Sequence, residues 1–415
     1  ICLVGPPGVG KSSIAKQIAF ALNRKFYKIS VGGLNDSSEL IGHRRTYMGS
    51  NPGKIIQALR KCGSKNPVIL IDEIDKLNIN GKDDPTGVLL DILDKEQNTD
   101  FIDNYIEEPF DLSHIFFILT ANSLDTIPSA LKDRLEIIEL SSYTNYEKLD
   151  IAKKYLIPRI LEENKIPNKI ISISDEMLLF LISAYTNEAG VRDLTRNLEK
   201  IIRKLVVMGK INERTKISKV RLKEYLGIPK YDSLENQKHT FAGRANALAV
   251  TSGGGTIIPV ESCIYEGKGN FVITGMVGKA LSYIKSHENT FPLKEFYFNI
   301  RDIHLHFLEG AIKKDGPSAG AAITTSILSL ILNKQVDSNI AFTGEISLNG
   351  DILKVGGIKE KIIGAFNHQI KEVFIPDANA LDLEEIPEDI KNKMEIHLVK
   401  NYQEIYDLLF NESKK

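Results

Sequence analysis

The sequence feature that most constrains the fold is a glycine-rich turn near the start of the chain, between an apolar run and a helical pattern. The turn reads Gly5-Pro6-Pro7-Gly8-Val9-Gly10-Lys11-Ser12 and matches the phosphate-binding pattern G-x-x-x-x-G-K-[ST]. Its glycines let backbone N–H groups wrap around phosphates, and the following helix directs its positive end towards them. We expect Lys11 to neutralise β- and γ-phosphate charge and Ser12 to offer a hydroxyl to Mg²⁺. The alternative is a chance match, which the strand before and the helix after disfavour.

The first third of the chain alternates short apolar runs with helical patterns. The expected strands are Ile1–Val4, Tyr27–Ser30, Val68–Ile71, Ile115–Thr120 and Ile137–Leu140. Each run is almost continuously apolar, as in strands that are covered on both faces. Helical patterns, such as Ser12–Leu22 and Lys54–Cys62, lie between the runs. This alternation predicts a parallel α/β domain.

The pattern changes twice further along the chain, and 415 residues are too many for one hydrophobic core. An all-helical region follows the α/β part, then a polar linker, then an α+β region in which glycine-rich turns such as Gly253–Gly255 separate β-like runs. The predicted divisions are 1–141 (α/β), 142–228 (helical), 229–242 (linker), 243–410 (α+β) and 411–415 (polar tail).

Two carboxylates follow the buried strand Val68–Ile71, namely Asp72 and Glu73. In an open α/β sheet, ligands bind at the carboxyl ends of the strands. We expect Asp72 to hold Mg²⁺, directly or through water, and Glu73 to polarise an attacking water. The alternative, a solvated helix start, fits poorly after four consecutive apolar residues.

Three further polar residues have two interpretations each. Asn122 ends another apolar strand and is placed to orient the same water, although an asparagine there is often a turn residue. Arg134 ends a helical pattern, so it is either a nucleotide contact or a surface cation at a helix C-terminus. Arg192 begins a long amphipathic helical pattern, and its spacing is equally ambiguous.

Ser318 stands among small residues directly before the apolar helical pattern Ala321–Leu332. Small neighbours admit a substrate backbone, and the start of a helix supplies N–H groups and positive potential for an oxyanion. This arrangement suits a nucleophilic serine. An N-cap serine is the structural alternative, and the pattern alone favours it.

A nucleophilic serine needs a base. His304 and His306 share one face of a predicted strand, but no Ser/His/Asp order emerges. A lysine can replace histidine where burial lowers its pKa towards neutrality. Lys361 fits an inward position three residues after Ile358, whereas Lys359 is one step off that face and is expected to be solvated.

Composition excludes several classes of protein. A net charge of −1 gives no general reason to expect nucleic acid or an anionic membrane as a partner. No apolar run has the length needed to span a bilayer. Cys2, Cys62 and Cys263 are odd in number, lie far apart and form neither a CxxC motif nor a zinc spacing, which indicates a reducing compartment. Since the chain starts within a strand and without Met, we expect it to be a fragment whose targeting peptide is not visible.

These features together resemble an AAA+ ATPase: the phosphate-binding turn, the apolar strand ending in Asp-Glu, the strand ending in Asn122, the later Arg134, and a helical lid containing Gly190-Val191-Arg192. The resemblance implies ATP and Mg²⁺ as cofactors. It makes Arg134 an arginine finger that acts on the neighbouring subunit's nucleotide, and Arg192 the sensor arginine of the lid. A finger that acts in trans implies a ring, and the family forms homohexamers.

The segment Gly42–Ser50, which reads GHRRTYMGS, resembles Lon proteases in particular. It makes Tyr47 and Met48 a pore-loop pair that grips the substrate chain. A flat ring and a flexible thioether can hold any extended polypeptide without sequence preference. The alternative for Tyr47 is an aromatic packed within its own loop.

The motifs DGPSAG, residues 315–320, and GGIKEK, residues 356–361, are similar to the Lon peptidase motifs. The resemblance implies that Ser318 is the nucleophile and Lys361 its base. It assigns Thr343 a hydrogen bond to the lysine and Asp315 a position from which its carboxylate gates the serine. It gives His304 and His306 structural or accessory roles.

The resemblance therefore implies an ATP-dependent serine endopeptidase of Lon type. Its substrates would be misfolded, damaged or selected regulatory proteins, which it unfolds and translocates. A remodelling ATPase and a nucleic-acid motor are the rival functions. DNA contact, which some relatives make, is a minor expectation because the chain has no basic stripe.

Details such as Thr120–Asn122 and His304–His306 favour the mitochondrial branch, hence the mitochondrial matrix, with the bacterial cytoplasm as the alternative. The family's N-terminal substrate-binding domain is absent from this sequence. The stretch Gly275–Ala280 is shorter than in the family, and Lys279 replaces an acidic residue. These departures concern the side of the substrate-binding site next to Ser318, the expected nucleophile.

Overall fold

The computed structural model of the chain forms two compact units, Ile1–Ser141 and Ser142–Lys415. The residues described are 1–34, 36–77, 84–167, 171–209, 215–231, 240–251, 253–273, 278–287, 290–291, 293, 296, 298–308 and 317–411. Asp315 and parts of the predicted linker, the short stretch before Lys279 and the polar tail lie outside the described residues.

The first unit is built on a five-stranded parallel sheet with the order β2-β3-β6-β1-β7. The strands are β1 (Cys2–Val4), β2 (Phe26–Ser30), β3 (Val68–Asp72), β4 (Phe101–Ile102), β5 (Pro109–Phe110), β6 (Phe116–Ala121) and β7 (Ile137–Glu139), of which β4 and β5 form a separate antiparallel pair. Val68 and Leu70 of β3 pack in one apolar cluster, and Ile69 and Ile71 in another. Strand β3 is thus buried on both faces, as its continuous apolar run predicts.

Helices join these strands as the sequence predicts for a parallel sheet. They are α1 (Lys11–Ala21), α2 (Ser38–Ile41), α3 (Lys54–Cys62), α4 (Pro85–Leu93) and α5 (Ser129–Lys132). The five expected strands and the two expected helices are confirmed to within one or two residues at each end. Helix α1 starts where the phosphate-binding turn ends, at the carboxyl edge of β1.

The second unit begins with helices, namely α6 (Asn145–Ile151), α7 (Ile157–Glu163), α8 (Asp175–Tyr185), α9 (Arg192–Val207) and α10 (Lys219–Leu226), with a π-helical turn at Ala152–Leu156. The prediction that this region is all helix is wrong in one detail. Ile171–Ser172 (β8) and Thr215–Lys216 (β9) form a two-residue parallel pair. Runs this short carry no hydrophobic periodicity, so sequence patterning does not detect them.

The rest of the second unit surrounds a seven-stranded mixed sheet with the order β12-β13-β11-β10-β14-β17-β18. The strands are β10 (Arg244–Thr251), β11 (Gly254–Glu266), β12 (Phe271–Ile273), β13 (Arg301–Phe307), β14 (Ile340–Phe342), β15 (Glu345–Ile346), β16 (Ile352–Leu353), β17 (Glu372–Pro376) and β18 (Glu395–Val399). The helices are α11 (Gly278–Ser286), α12 (Gly320–Ile331), α13 (Ile358–Asn367), α14 (Glu388–Lys391) and α15 (Tyr402–Phe410). The α+β expectation is confirmed.

Helices α12 and α13 cover opposite faces of this sheet. Phe342 of β14 packs in the cluster that contains α12, whereas the preceding residue Ala341 packs in the cluster that contains α13. Because successive side chains of a strand point to opposite faces, β14 presents one of these two residues to each helix.

Gly253–Gly255 is only partly the turn that the sequence predicts, because Gly254 and Gly255 belong to strand β11. A Cβ atom at Gly255 would overlap the carbonyl oxygen of Glu360, and one at Gly364 would overlap the Gly255 backbone. Glycine is required here because α13 approaches β11 backbone to backbone.

Candidate active sites

The phosphate-binding turn has the backbone that its glycines permit. Gly8 and Gly10 have φ values of 85° and 91°, and α1 starts at Lys11. The Lys11 ammonium donates to the carbonyl oxygens of Gly5 and Pro6 and to Asn122 Oδ1, the last at 3.0 Å. Burial lowers the pKa of Lys11, and the negative charge of nearby carboxylates partly offsets this decrease. The structure therefore brings Asn122 to the turn, as expected for a residue at the same sheet edge.

Asp72 ends β3 beside this turn and accepts two charge-assisted contacts. The Lys28 ammonium and the Thr120 hydroxyl each donate to one of its carboxylate oxygens. Burial by itself would raise the pKa of Asp72, but these two donors outweigh it and hold the pKa below its ordinary value. The carboxylate is therefore ionised and suited to a nearby cation.

Glu73 has an unusual backbone, with φ 63° in the left-handed region. Its N–H donates to Thr120 Oγ1 at 3.2 Å, and its carboxylate pairs with Lys76 at 2.6 Å. A non-glycine residue in this region costs about 1–3 kcal/mol and persists where its surroundings impose it. Here the Thr120 hydroxyl holds the Glu73 backbone and the Lys76 ammonium pairs with its carboxylate.

Sequence reasoning missed three residues of this site: Lys28, Thr120 and Asp75. Asp75 Oδ2 accepts from Asn122 Nδ2 at 3.2 Å, while its Oδ1 is buried without a hydrogen-bond partner among the described residues. Thr120 joins Asp72 to Glu73 through one hydroxyl. A polar residue one position before the end of an apolar strand was the available signal for Thr120.

Arg134, Arg192, Tyr47 and Met48 complete the residues that the sequence predicts for the ATPase and lid regions. Arg134 donates from Nη2 and Nε to Asp94 Oδ2, at 3.0 and 3.3 Å, and its side chain is partly exposed. Arg192 is the exposed first residue of α9, in the second unit. Tyr47 and Met48 are strongly exposed in a turn, so the packed alternative for Tyr47 is wrong.

In the second unit, a buried lysine lies near Ser318. Lys361, on α13, is 4% exposed, and its ammonium donates to Thr343 Oγ1 at 3.0 Å. Burial lowers the pKa of Lys361 to about 8. By contrast, the side chain of Lys359 is 27% exposed and lies 3.7 Å from Glu385. The two lysines thus differ as the spacing from Ile358 predicts.

Thr343 and Gly344 connect this lysine to Ser318. The Thr343 hydroxyl lies 3.4 Å from the Ser318 carbonyl oxygen, which also accepts from the Gly344 N–H at 2.8 Å. Among the described residues, Ser318 Oγ and Lys361 Nζ share no direct hydrogen bond. The shared neighbour Thr343 therefore brings the Ser318 backbone and the buried amine to one place.

Ser318 itself lies in a 3-10 turn, Pro317–Ala319, that leads into α12. The N-cap of α12 is Ala319, and no side chain caps the helix. The alternative interpretation of Ser318 as an N-cap residue is therefore wrong. His304 and His306 lie on β13 with ring centroids 6.5 Å apart. Beside the Ser318 turn, Lys279 pairs with Glu345 at 2.6 Å.

The first unit thus has the architecture of a P-loop ATPase, and the second unit combines a helical region with a mixed sheet that carries a serine near a buried lysine. Three family models match in succession: the AAA ATPase family over residues 1–143, the Lon protease AAA+ ATPase lid domain over 162–218, and the Lon protease (S16) C-terminal proteolytic domain over 216–412. The chain belongs to the Lon protease family.

Relatives named Lon protease support the same membership. The one from Fusobacterium nucleatum is 45% identical over 99% of this chain and 55% of its own length. Those from Malacoplasma penetrans and Clostridioides difficile are each 46% identical, over 99% and 98% of this chain and 54% and 53% of their own lengths. The chain thus spans about half the length of these relatives. All three are bacterial, so they do not support the expected mitochondrial type.

Among the described helices, none combines the length and the apolar composition that crossing a membrane requires.

Proposed function

We propose that this chain is the ATPase and peptidase part of an ATP-dependent serine endopeptidase. ATP binding and hydrolysis in the first unit would drive an unfolded protein towards Ser318 in the second. Misfolded, damaged or selected regulatory proteins are the proposed substrates. The observation that carries this proposal is the buried Lys361 amine, hydrogen-bonded to a threonine that also contacts the Ser318 carbonyl.

Ser318 is the proposed nucleophile and Lys361 its general base. A lysine with a pKa of about 8 is neutral in a sizeable fraction of molecules near pH 7.5, and only the neutral amine can accept a proton. Lys361 takes the Ser318 hydroxyl proton as Oγ attacks the peptide carbonyl, and then gives it to the leaving amine. Thr343 is a positioning residue that holds Nζ in place. Asp315 is proposed to gate the serine, by family resemblance alone.

The residues at the phosphate-binding turn fit ATP and Mg²⁺. Residues Gly5–Ser12 supply backbone N–H groups and the start of α1, and the glycine φ values shape a concave turn. Ser12 and Asp72 would hold Mg²⁺, which supplies charge neutralisation when bound. Lys11 would exchange its carbonyl contacts for phosphate oxygens. Glu73 would polarise the attacking water and Asn122 would orient it.

The remaining assignments concern assembly and substrate contact. Arg134 is proposed as a finger that completes the site of a neighbouring subunit in a homohexamer, and Arg192 as the lid's sensor. The exposure of Tyr47 and Met48 supports a role as a pore-loop pair. The bacterial relatives favour the bacterial cytoplasm over the mitochondrial matrix. No described feature adds support for DNA contact.

Variants that separate the two sites test this function. Ser318→Ala should abolish degradation of casein and leave ATP hydrolysis near the parent rate, because the serine acts only in the peptidase step. Lys11→Ala should abolish both activities. Lys361→Ala should behave as Ser318→Ala does, and Lys359→Ala, with a more exposed side chain, is its matched control.

Casein degradation and phosphate release, measured on the same preparations, provide both readouts. ATP-dependent proteolysis that persists in Ser318→Ala would refute the assignment of the nucleophile. Equal losses of proteolytic activity in Lys359→Ala and Lys361→Ala would refute the assignment of Lys361 as the base.

A further inference from the structure

Two carboxylates and an imidazole converge at the edge of the seven-stranded sheet, at a site that neither proposed activity uses. Glu372 begins β17, and Glu395 and His397 lie on the edge strand β18. One potential ligand atom of each lies within 4.8 Å of the others. Glu372 is in register with Glu395, and Phe374 with His397. Because side chains alternate along a strand, all three groups lie on one face of the sheet.

His397 presents its ring nitrogen to both carboxylates. Its Nε2 lies 3.7 Å from Glu372 Oε2 and 3.5 Å from Glu395 Oε1. The same nitrogen is buried and has no hydrogen-bond partner among the described residues. A buried polar atom without a partner costs free energy, and two carboxylates on neighbouring strands repel each other. A cation bound between the three groups would remove both costs.

The orientation of the imidazole is fixed by aromatic stacking. The His397 ring stacks on Phe374, with centroids 4.5 Å apart and planes 19° apart. Phe374 in turn stacks on Phe342 of β14, at 5.2 Å and 18°. A ligand whose ring is already held in place loses less freedom on binding a metal.

The distances correspond to one metal ion of the zinc class. Bonds of about 2.0–2.1 Å in a tetrahedral site separate neighbouring ligand atoms by roughly 3.3–3.4 Å. The two distances from His397 Nε2 exceed that separation by only a few tenths of an ångström. Imidazole together with carboxylate suits Zn²⁺, whereas Mg²⁺ prefers oxygen ligands alone. Glu395 is exposed and Glu372 half-buried, so an ion can reach the site from solvent.

We propose that Glu372, Glu395 and His397 bind one Zn²⁺-class ion, with water as the fourth ligand. The site is separate from the Mg²⁺ expected at Ser12 and Asp72.

Zinc titration of the metal-stripped full chain tests the proposal. Isothermal titration with ZnCl₂, in buffer that contains millimolar Mg²⁺, should reveal one Zn²⁺ equivalent that Glu395→Gln and His397→Phe each weaken about tenfold or more. His397→Phe removes the nitrogen ligand and keeps an aromatic ring on Phe374, which limits the effect on folding. His114→Gln, an exposed histidine beside Asp111 in the first unit, is the matched control and should bind as the parent does.

Circular dichroism of each metal-free variant checks that it is folded. If Glu395→Gln and His397→Phe bind Zn²⁺ with the stoichiometry and affinity of the parent, the three residues do not form a metal site and act only as an ion-paired cluster. If a parent protein stripped of metal takes up no Zn²⁺ equivalent that survives Mg²⁺ competition, the proposal is also overturned.

Discussion

At the scale of single residues, the pKa of Lys361 determines when the proposed base can work. Burial lowers that pKa to about 8 from the model-peptide value of 10.5. Below the folded-state pKa the side chain is an ammonium ion and cannot accept the Ser318 proton. Each pH unit below about 8 should therefore reduce the neutral fraction, and with it kcat/KM, about tenfold.

A fluorogenic peptide assayed between pH 6 and 9.5 would measure this profile, because kcat/KM reports ionisations of the free enzyme. The ATPase rate over the same range serves as the control for loss of structure. A profile whose midpoint lies well below the pKa of about 8 would contradict Lys361 as the base.

Thr343 is the second residue whose chemistry can be isolated. Its hydroxyl accepts from Lys361 and contacts the Ser318 carbonyl, and it is almost fully buried. Thr343→Val keeps the shape of the side chain but leaves the buried Nζ without this partner, so we expect proteolysis to fall on the order of 10–100-fold. Thr343→Ser retains a hydroxyl and should keep most of the activity.

Peptide hydrolysis and ATP hydrolysis should be measured separately. A local effect on Lys361 lowers only the rate of peptide hydrolysis, whereas unfolding would lower the rate of ATP hydrolysis as well. Equal activity of the valine and serine variants would mean that the hydroxyl does not position Lys361.

At the scale of elements, the close contact between α13 and β11 sets the position of Lys361. Gly364→Ala would place a methyl group into the Gly255 backbone and push α13 away from the sheet. We expect a loss of about 1–3 kcal/mol in stability and a larger proportional loss of peptidase activity, since Lys361 moves with its helix. Gly356→Ala is the control, because a Cβ there meets no atom within 4 Å and its φ is not positive.

The midpoint of urea unfolding, followed together with peptide hydrolysis, would check both effects. If Gly364→Ala retains the parent midpoint and activity, the sheet tolerates a shifted α13 and the contact does not hold the lysine.

These elements also show which parts of the fold and of the candidate sites can be predicted from the sequence. The parallel sheet of the first unit follows from its apolar runs, and the carboxyl ends of adjacent parallel strands bring Asp72 and Asn122 to one edge. The inward direction of Lys361 follows from its spacing after Ile358. The periodicity of apolar residues along the chain was sufficient to predict both the parallel sheet and the burial of Lys361.

The contact between Thr343 and Lys361 could not be predicted from spacing. It depends on the strand order β10-β14-β17, which places α12 and α13 on opposite faces of the sheet and the end of β14 between them. Only family resemblance suggested Thr343 beforehand. The Glu372, Glu395 and His397 cluster likewise depends on the register of two parallel strands, and the separate positions along the chain gave no signal.

At the scale of the whole molecule, the proposed role of Arg134 requires that several copies of the chain assemble. Its guanidinium pairs with Asp94 of the same chain and remains 37% exposed. An exposed ion pair of this kind contributes little to stability, so it would not prevent Arg134 from contacting a nucleotide elsewhere. A ring with head-to-tail interfaces would present each finger to the next subunit, and that arrangement can be tested by mixing variants.

Arg134→Ala and Lys11→Ala should each lack ATPase activity when assembled alone. The first variant has no arginine finger, and the second has no lysine to contact the phosphates. In mixed rings, an intact phosphate-binding turn from one variant can meet an intact Arg134 from the other. Random 1:1 mixing should restore roughly a quarter of the parent ATPase rate, since half the subunits carry each intact part. Mixing Arg134→Ala with a Lys11→Ala/Arg134→Ala double variant supplies no finger and should restore nothing. If the first mixture is as inactive as the second, Arg134 does not act between subunits.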